Sequence, residues 1–145
     1  MDFSTGMRIT SSGMTANRMR MNSIATNIAN VNTTRTAEGG PYRRKDVVFE
    51  AIPDQKNFGE ILTRPEDVAK QRVQVSDIQV DMKAPLMKYE PNHVDANDEG
   101  YVAYPNIDLM SEMTNMIQAT RAYEANVSAM GAIKDMALTS LEIGR

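Results

Sequence analysis

The chain has 145 residues, enough for one ordinary domain, and 41% of them are apolar and 24% charged, proportions that exclude wholesale disorder. A net charge of −3 without a basic block excludes the electrostatic footprint of a nucleic-acid-binding protein. The chain has no cysteine, which excludes disulfides and thiolate chemistry, and no apolar run approaches the roughly 20 residues of a membrane span.

The first predicted element is an amphipathic helix over residues 4–32, in which apolar side chains recur every seven residues. Gly6 and Gly13 each weaken it by about 1 kcal/mol relative to alanine, so we expect a firm helix only from about residue 11 and fraying before it. The same helix carries many amides and few charges, which its own periodicity does not explain. The amides are Asn17, Asn22, Asn27, Asn30 and Asn32.

The middle part, residues 35–104, is predicted to be an insert of loops and short strands, because it holds most of the prolines. A phase slip in the apolar alternation at Ser76 and Asp77 predicts a bulge or turn there. The expected elements are strands at 46–52 and 72–82, a further short strand within 83–91, and a mobile loop at 53–71.

The strongest pattern is a helix over residues 106–142 of the C-terminal segment, 105–145. Pro105 and the side-chain oxygen of Asn106 or Asp108 predict its start. A helix of about 35 residues spans roughly 50 Å, which exceeds the roughly 40 Å width of a compact domain of this size.

The fold is therefore predicted to be mainly α and the protomer elongated. The N-terminal segment, 1–34, pairs with the C-terminal helix as a coiled-coil-like hairpin, and the small β-containing insert lies between them. The two helices form one helical domain. The predicted intramolecular seam consists of Met7, Met14, Met21, Ile24, Ile28, Val31, Leu109, Met113, Met116, Tyr123, Val127, Met130 and Leu141.

Four stretches of the chain resemble the bacterial flagellar axial proteins, the family of rod, hook and hook-associated subunits. SGMTANRMRMNSIATNIANVNTT (12–34) resembles their N-terminal motif, with Thr26 in place of the first Asn of an Asn pair, and EMTNMIQATRAYEAN (112–126) resembles their C-terminal motif. GPYRRKDVVFEAI (40–52) and YEPNHVDANDEGYVAYPN (89–106) are similar to proximal subunits of the rod. The ending LTSLEIGR departs from the usual one.

The resemblance implies a structural, non-enzymatic subunit of the proximal rod, without a cofactor. Such subunits leave the cytoplasm through the flagellar export apparatus without a cleaved signal peptide, and the N-terminus shows none of the features of one. They assemble with copies of themselves and with related rod proteins into an axial tube, which transmits torque across the periplasm and encloses the export channel.

Such an assembly explains the amides, because a helix surrounded by neighbours has few solvated faces and charges are costly to desolvate. Amides offer donors and acceptors without a charge, so we predict that they set lateral register. Asn30 and Asn32 could instead cap the helix end. Arg43 and Arg44 either contact an acidic neighbour or form a solvated strand edge. The predicted subunit interface consists of Asn17, Asn22, Asn27, Asn30, Met110, Ile117, Ile133, Leu138, Arg43 and Arg44.

Other kinds of site have little support. Residues 94–101 superficially resemble a calcium-binding loop, but Asn106 stands where the bidentate glutamate is needed, so an acidic turn is the better interpretation. His93 is the only histidine, and no nucleotide-binding motif occurs. The alternative function is a soluble helical adaptor or export-chaperone-like binding module, in which one amphipathic helix docks into a partner's groove.

Overall fold

The computed structural model of the chain describes residues 3–53 and 71–143. Within these residues it contains two long helices and two small antiparallel sheets, so the prediction of a mainly helical fold is confirmed. No helix in the described part is long and apolar enough to cross a membrane. The loop predicted at 53–71 lies almost entirely outside the described residues.

The first helix, α1, spans Phe3–Ala29 and so begins well before the expected firm start near residue 11. The reason is packing at its two glycines. A Cβ on Gly6 would lie 3.3 Å from Ile133 Cδ1, and one on Gly13 would lie 3.0 Å from Asn126 Nδ2. The glycines let the C-terminal helix approach closely, and this contact offsets their poor helix propensity.

The second helix, α2, spans Leu109–Ile143 and has 35 residues. Its start is capped by Asp108, whose Oδ1 accepts a hydrogen bond of 3.1 Å from the backbone N–H of Met110. Asp108 is therefore the cap among the predicted candidates. At 1.5 Å a residue the helix is about 50 Å long.

The two helices pack against each other in antiparallel directions. Along each helix the contacting residues are separated by multiples of seven positions, so the same side of each helix lies in the interface throughout. The contacts join Gly6 to Ile133, Gly13 to Asn126, and Asn27 to Glu112. Ala16 and Ile24 of α1 and Ala119 of α2 are buried.

The row of α2 that contacts α1 differs from the predicted seam. Met116, Tyr123 and Met130 are partly buried, but four other predicted seam residues are exposed: Leu109, Met113, Val127 and Leu141. The contacting row instead includes Glu112, Asn126 and Ile133. An apolar count does not separate the two rows of α2, because the side that packs on α1 also contains polar residues whose hydrogen bonds only the tertiary structure supplies. On α1 the predicted residues are buried or partly buried: Met7, Met14, Met21, Ile24, Ile28 and Val31.

The first sheet pairs β1 (Lys45–Pro53) with β2 (Gln71–Val80) in antiparallel register. Val48 pairs with Asp77, but Phe49 pairs with Val75, so Ser76 has no partner in the ladder. Its hydroxyl donates to the Val48 carbonyl at 3.3 Å. The predicted bulge is confirmed, and the sheet lies along α1, where the Val73 N–H donates to Ser12 Oγ.

The second sheet pairs β3 (Leu86–Tyr89) with β4 (Tyr101–Tyr104). The short strand predicted within 83–91 is confirmed, whereas β4 was not predicted. Val102 in β4 is fully buried. Gly100, just before it, has φ of +80°, and a Cβ there would lie 2.9 Å from the Tyr89 ring, so only glycine fits the turn into β4.

Candidate functional site

The side chain of Asn27, near the end of α1, is completely buried, with 0% exposed. Its Nδ2 donates to the Lys45 carbonyl at 2.8 Å and to Glu112 Oε2 at 3.0 Å. Its Oδ1 accepts from the Tyr42 hydroxyl at 3.0 Å and from the Lys45 N–H at 2.9 Å. All four hydrogen-bonding positions of the amide are therefore filled within the protomer.

Glu112, in the first turn of α2, is 1% exposed and carries the negative charge of the cluster. Its Oε1 accepts a hydrogen bond of 2.8 Å from Arg44 Nε, and Arg44 Nη1 reaches Asp46 Oδ2 at 3.2 Å. Burial by itself lowers the pKa of Arg44. Its hydrogen bonds and charge interactions with Glu112 and Asp46 more than offset this effect, so the pKa of Arg44 is raised overall. The guanidinium is therefore held in its charged form.

The hydroxyl of Tyr42 completes the cluster. Burial raises the pKa of this hydroxyl, and the negative charge of Glu112 raises it further. The neutral phenol is thus favoured, and it can donate its proton to Asn27 Oδ1. We call the set of Asn27, Tyr42, Arg44, Lys45 and Glu112 the polar joint.

The polar joint connects three parts of the chain: the end of α1, the segment that enters β1, and the start of α2. Asn27 and Glu112 are 85 residues apart in sequence. Within the described residues no buried side-chain nitrogen or oxygen lacks a partner, so the joint offers no vacant group for a substrate or a metal. Its chemistry suits mechanical connection, because breaking a buried, hydrogen-bonded charge pair is strongly unfavourable.

The other asparagines have different surroundings. Asn30 Nδ2 donates to the Thr26 carbonyl at 2.8 Å, and its Oδ1 accepts from Thr33 Oγ1, so it closes the end of α1 as the capping alternative predicted. Asn17 Nδ2 donates to the Gly13 carbonyl at 2.9 Å, and Asn22 is exposed. Asn27 has no hydrogen-bonding position left for a neighbouring subunit. For Asn17 and Asn22 an interface role stays a prediction.

The basic residues at positions 43–45 are divided between the interior and the surface. Arg44 belongs to the polar joint, whereas Arg43 is exposed and its Nη1 lies 3.0 Å from Met82 Sδ. Lys45 Nζ lies 6.0 Å from the centre of the Tyr42 ring, a cation–π distance. Of the two predicted interface arginines, only Arg43 is placed to reach an acidic neighbour.

A second row of apolar side chains runs along α2 away from α1. We call it the outer row, and its large apolar members are between 47% and 72% exposed. They are Met110, Met113, Ile117, Val127, Leu138 and Leu141. Ile133, also predicted at the subunit interface, lies instead against Gly6 of α1. From Met110 to Leu141 the outer row spans about 46 Å of α2.

The acidic turn predicted at 94–101 is built by local hydrogen bonds. Asn97 Oδ1 accepts from the backbone N–H groups of Glu99 and Tyr101, and Asp95 Oδ2 accepts from Thr34 Oγ1 at 2.8 Å. His93 Nδ1 accepts from the Asp95 N–H at 3.1 Å. In the part of the chain that the structure describes, no cluster of histidine and acidic side chains is placed to hold a metal ion.

Two family models match the chain at its two ends. The model described as "Flagella basal body rod protein" matches residues 7–35, and the one described as "Flagellar basal body rod FlgEFG protein C-terminal" matches residues 98–143. Proteins named flagellar basal-body rod protein FlgC are similar over almost their whole length. The relative from Bacillus subtilis is 40% identical over 96% of both chains. That from Borreliella burgdorferi is 39% identical over 96% of this chain and 95% of its own. That from Escherichia coli O6:H1 is 36% identical over 94% of both.

The chain belongs to the FlgC family of flagellar basal-body rod proteins. It is a structural subunit of the rod and not an enzyme. The two matched segments contain the two ends of the polar joint: Asn27 lies in the first and Glu112 in the second. The joint therefore links the two segments that define the family.

Sequence reasoning missed Tyr42 and Glu112 as members of the site. A glutamate in the first turn of a helix is ordinary, because it interacts favourably with the helix dipole, so Glu112 gave no signal of burial. The one available signal was its position, seven residues before Ala119 and fourteen before Asn126, in a row that faces α1.

Proposed function

We propose that the chain assembles with copies of itself and with related rod proteins into the helical tube of the proximal rod, and that the outer row of α2 makes the lateral contacts. The outer row is the observation that carries this proposal. Monomeric soluble proteins rarely leave long apolar patches uncovered, and a helix with two apolar rows needs a neighbour for each. Within the protomer α1 covers only one of them.

The pairing of α1 with α2 is, in this proposal, of the coiled-coil type. The antiparallel contacts at multiples of seven residues support it. The three-part organisation into 1–34, 35–104 and 105–145 follows, with the outer segments as one helical domain. The polar joint then fixes the insert to the helices, so a torsional load on the helix pair reaches β1 through Arg44 and Lys45 rather than through a free loop.

The proposal also includes the export route of the subunit and its final location. The subunit leaves the cytoplasm through the flagellar export apparatus without a cleaved signal and ends in the part of the rod that spans the periplasm, where the tube transmits torque and encloses the export channel. Membership of the rod family supports this.

The test is mass spectrometry of hook–basal bodies purified from the native bacterium and washed with detergent and alkali. The wild-type chain should survive the wash at a fixed, low copy number. Ile117→Lys, which puts a charge into the outer row, should remove it. The neighbouring exposed change Gln118→Lys, outside the outer row, should not.

Absence of the wild-type chain from washed basal bodies while it is abundant in the cytosol would contradict assembly and favour the adaptor alternative. Equal incorporation of the two lysine variants would contradict the role of the outer row while leaving the rod itself in place.

A further inference from the structure

The two most exposed large apolar side chains of the described residues both lie between α1 and α2 in sequence, outside the long helices. Val94 is 97% exposed and Met82 is 78% exposed. A single exposed apolar residue is common on a protein surface and by itself indicates nothing. These two differ because each lies beside exposed charges, and the charges are negative near Val94 and positive near Met82.

The first of these places is the acidic turn at residues 94–100, which we call the knob. Asn97 Oδ1 accepts hydrogen bonds from two backbone N–H groups of the turn region and so fixes its tip. Asp98 and Glu99 are exposed at this tip, and neither forms an ion pair within the described residues. The knob therefore presents two negative charges and the apolar Val94 from a fixed backbone.

The second place is a cavity of about 90 Å³ whose lining includes Arg43 and Lys83, with room for the carboxyl group of a side chain. Met82 lies beside it, since Arg43 Nη1 is 3.0 Å from Met82 Sδ. Arg43 forms no ion pair in the part of the chain that the structure describes. Lys83 is 74% exposed despite its contact of 3.6 Å with Asp81. We call Arg43, Met82 and Lys83 the socket.

We propose that in the assembled rod the knob of one subunit enters the socket of a neighbouring copy of the chain. Glu99 then meets Arg43 of the neighbour, Asp98 meets Lys83, and Val94 covers Met82. The inference rests on the function proposed above, because it needs copies of the chain side by side. Neighbours around an axial tube are related by rotation about its axis, so unlike surfaces of the subunit meet, as the knob and the socket do.

The knob is the occupant that fits the socket best, because it projects from the protomer. Other exposed carboxylates without an ion pair in the described part lie along a strand or a helix, as those of Glu50 and Glu124 do. The knob and the socket form no ion pair with each other within one protomer, so their charges are complementary only between copies. Charge pairs of this kind select the partner and its orientation more than they add affinity. The contact would fix the rotation of one subunit relative to the next, while the outer row supplies apolar contact.

The first test uses the absence of cysteine from the chain. The native bacterium produces Val94→Cys and Met82→Cys chains together, and its hook–basal bodies are mildly oxidised, purified and washed. Mass spectrometry should find a disulfide that joins the two kinds of chain, and this bond can form only between copies. The matched control combines Val94→Cys with Gln74→Cys, at an exposed position of β2 outside the socket, and should give no such bond.

The second test exchanges the charges. Glu99→Lys alone and Arg43→Glu alone each bring like charges together, so each should lower the number of hook–basal bodies recovered per cell by about threefold or more. The double variant restores opposite charges and should recover to within about twofold of wild type. Glu50→Lys makes the same change of charge on β1, outside both surfaces, and should assemble as wild type does.

Washed basal bodies that contain both cysteine chains without the mixed disulfide would overturn the inference and leave the rod function in place. Single charge variants that assemble normally, or a double variant no better than the single ones, would do the same. Disulfides between two Val94→Cys chains would also overturn it, because they require two knobs to meet. If the cysteine chains are not incorporated, the charge exchange decides. Absence of the wild-type chain from basal bodies would contradict the proposed function itself, and the knob contact with it.

Discussion

Replacing Asn27 with alanine is the sharpest test of the polar joint. The change removes the four hydrogen bonds of a side chain that is completely buried. The Lys45 carbonyl keeps a second donor, Ser23 Oγ at 2.9 Å. The Lys45 N–H, the Tyr42 hydroxyl and Glu112 Oε2 lose the partners that the amide supplies. The substitution therefore strands buried polar groups instead of simply removing contacts.

The expected decrease in the free energy of unfolding follows from the number of hydrogen bonds lost and of polar groups left without a partner. A hydrogen bond contributes about 1 kcal/mol net, and a buried group left without a partner costs about 1–3 kcal/mol. With three such groups stranded, the free energy of unfolding should fall by about 3–6 kcal/mol. For a chain of this size that corresponds to a decrease in Tm of roughly 10 °C.

The assay is thermal and urea denaturation followed by circular dichroism. Asn22→Ala is the matched control, since it removes an exposed amide from the same helix and should change the free energy of unfolding by less than about 0.5 kcal/mol. If Asn27→Ala were no more destabilising than Asn22→Ala, the hydrogen bonds of the polar joint would not contribute measurably to stability.

Three further substitutions have outcomes that the structure predicts. Tyr42→Phe removes one hydrogen bond and should cost about 1 kcal/mol at neutral pH. Because the pKa of Tyr42 is raised in the folded state, the stability that its hydroxyl contributes is present below the ordinary pKa of 10.0 and is lost as pH rises above that value. Urea denaturation should therefore show a smaller loss of stability at alkaline pH in Tyr42→Phe than in wild type. Gly131→Ala should raise the free energy of unfolding by about 0.5–1 kcal/mol at low protein concentration, since its Cβ meets nothing. Gly13→Val should lower it by about 1–3 kcal/mol, since its side chain would overlap Asn126; a Gly13→Val chain as stable as wild type would refute close helix packing there.

Local signals in the sequence were sufficient for most of the elements. The alternation of apolar and polar residues, with its phase slip at Ser76, predicted β2 and its bulge. Asp108 was among the predicted caps of α2. β4 was missed because nothing local in its four residues indicates that Val102 is buried, and that burial comes only from its place in the fold. Gly6 and Gly13 were misjudged because propensity describes an isolated helix, and here they allow a second one to approach.

The asparagines show most clearly which features could not be predicted from the sequence. By itself the sequence determined two long helices, a β-containing insert between them and a resemblance to flagellar axial proteins, because periodicity, capping and motifs are local along the chain. Only the tertiary structure decided that Asn30 closes a helix and that Asn27 joins α1 to Glu112. The two residues lie three positions apart and have the same side chain. What separates their roles is burial, and burial depends on residues far away in sequence.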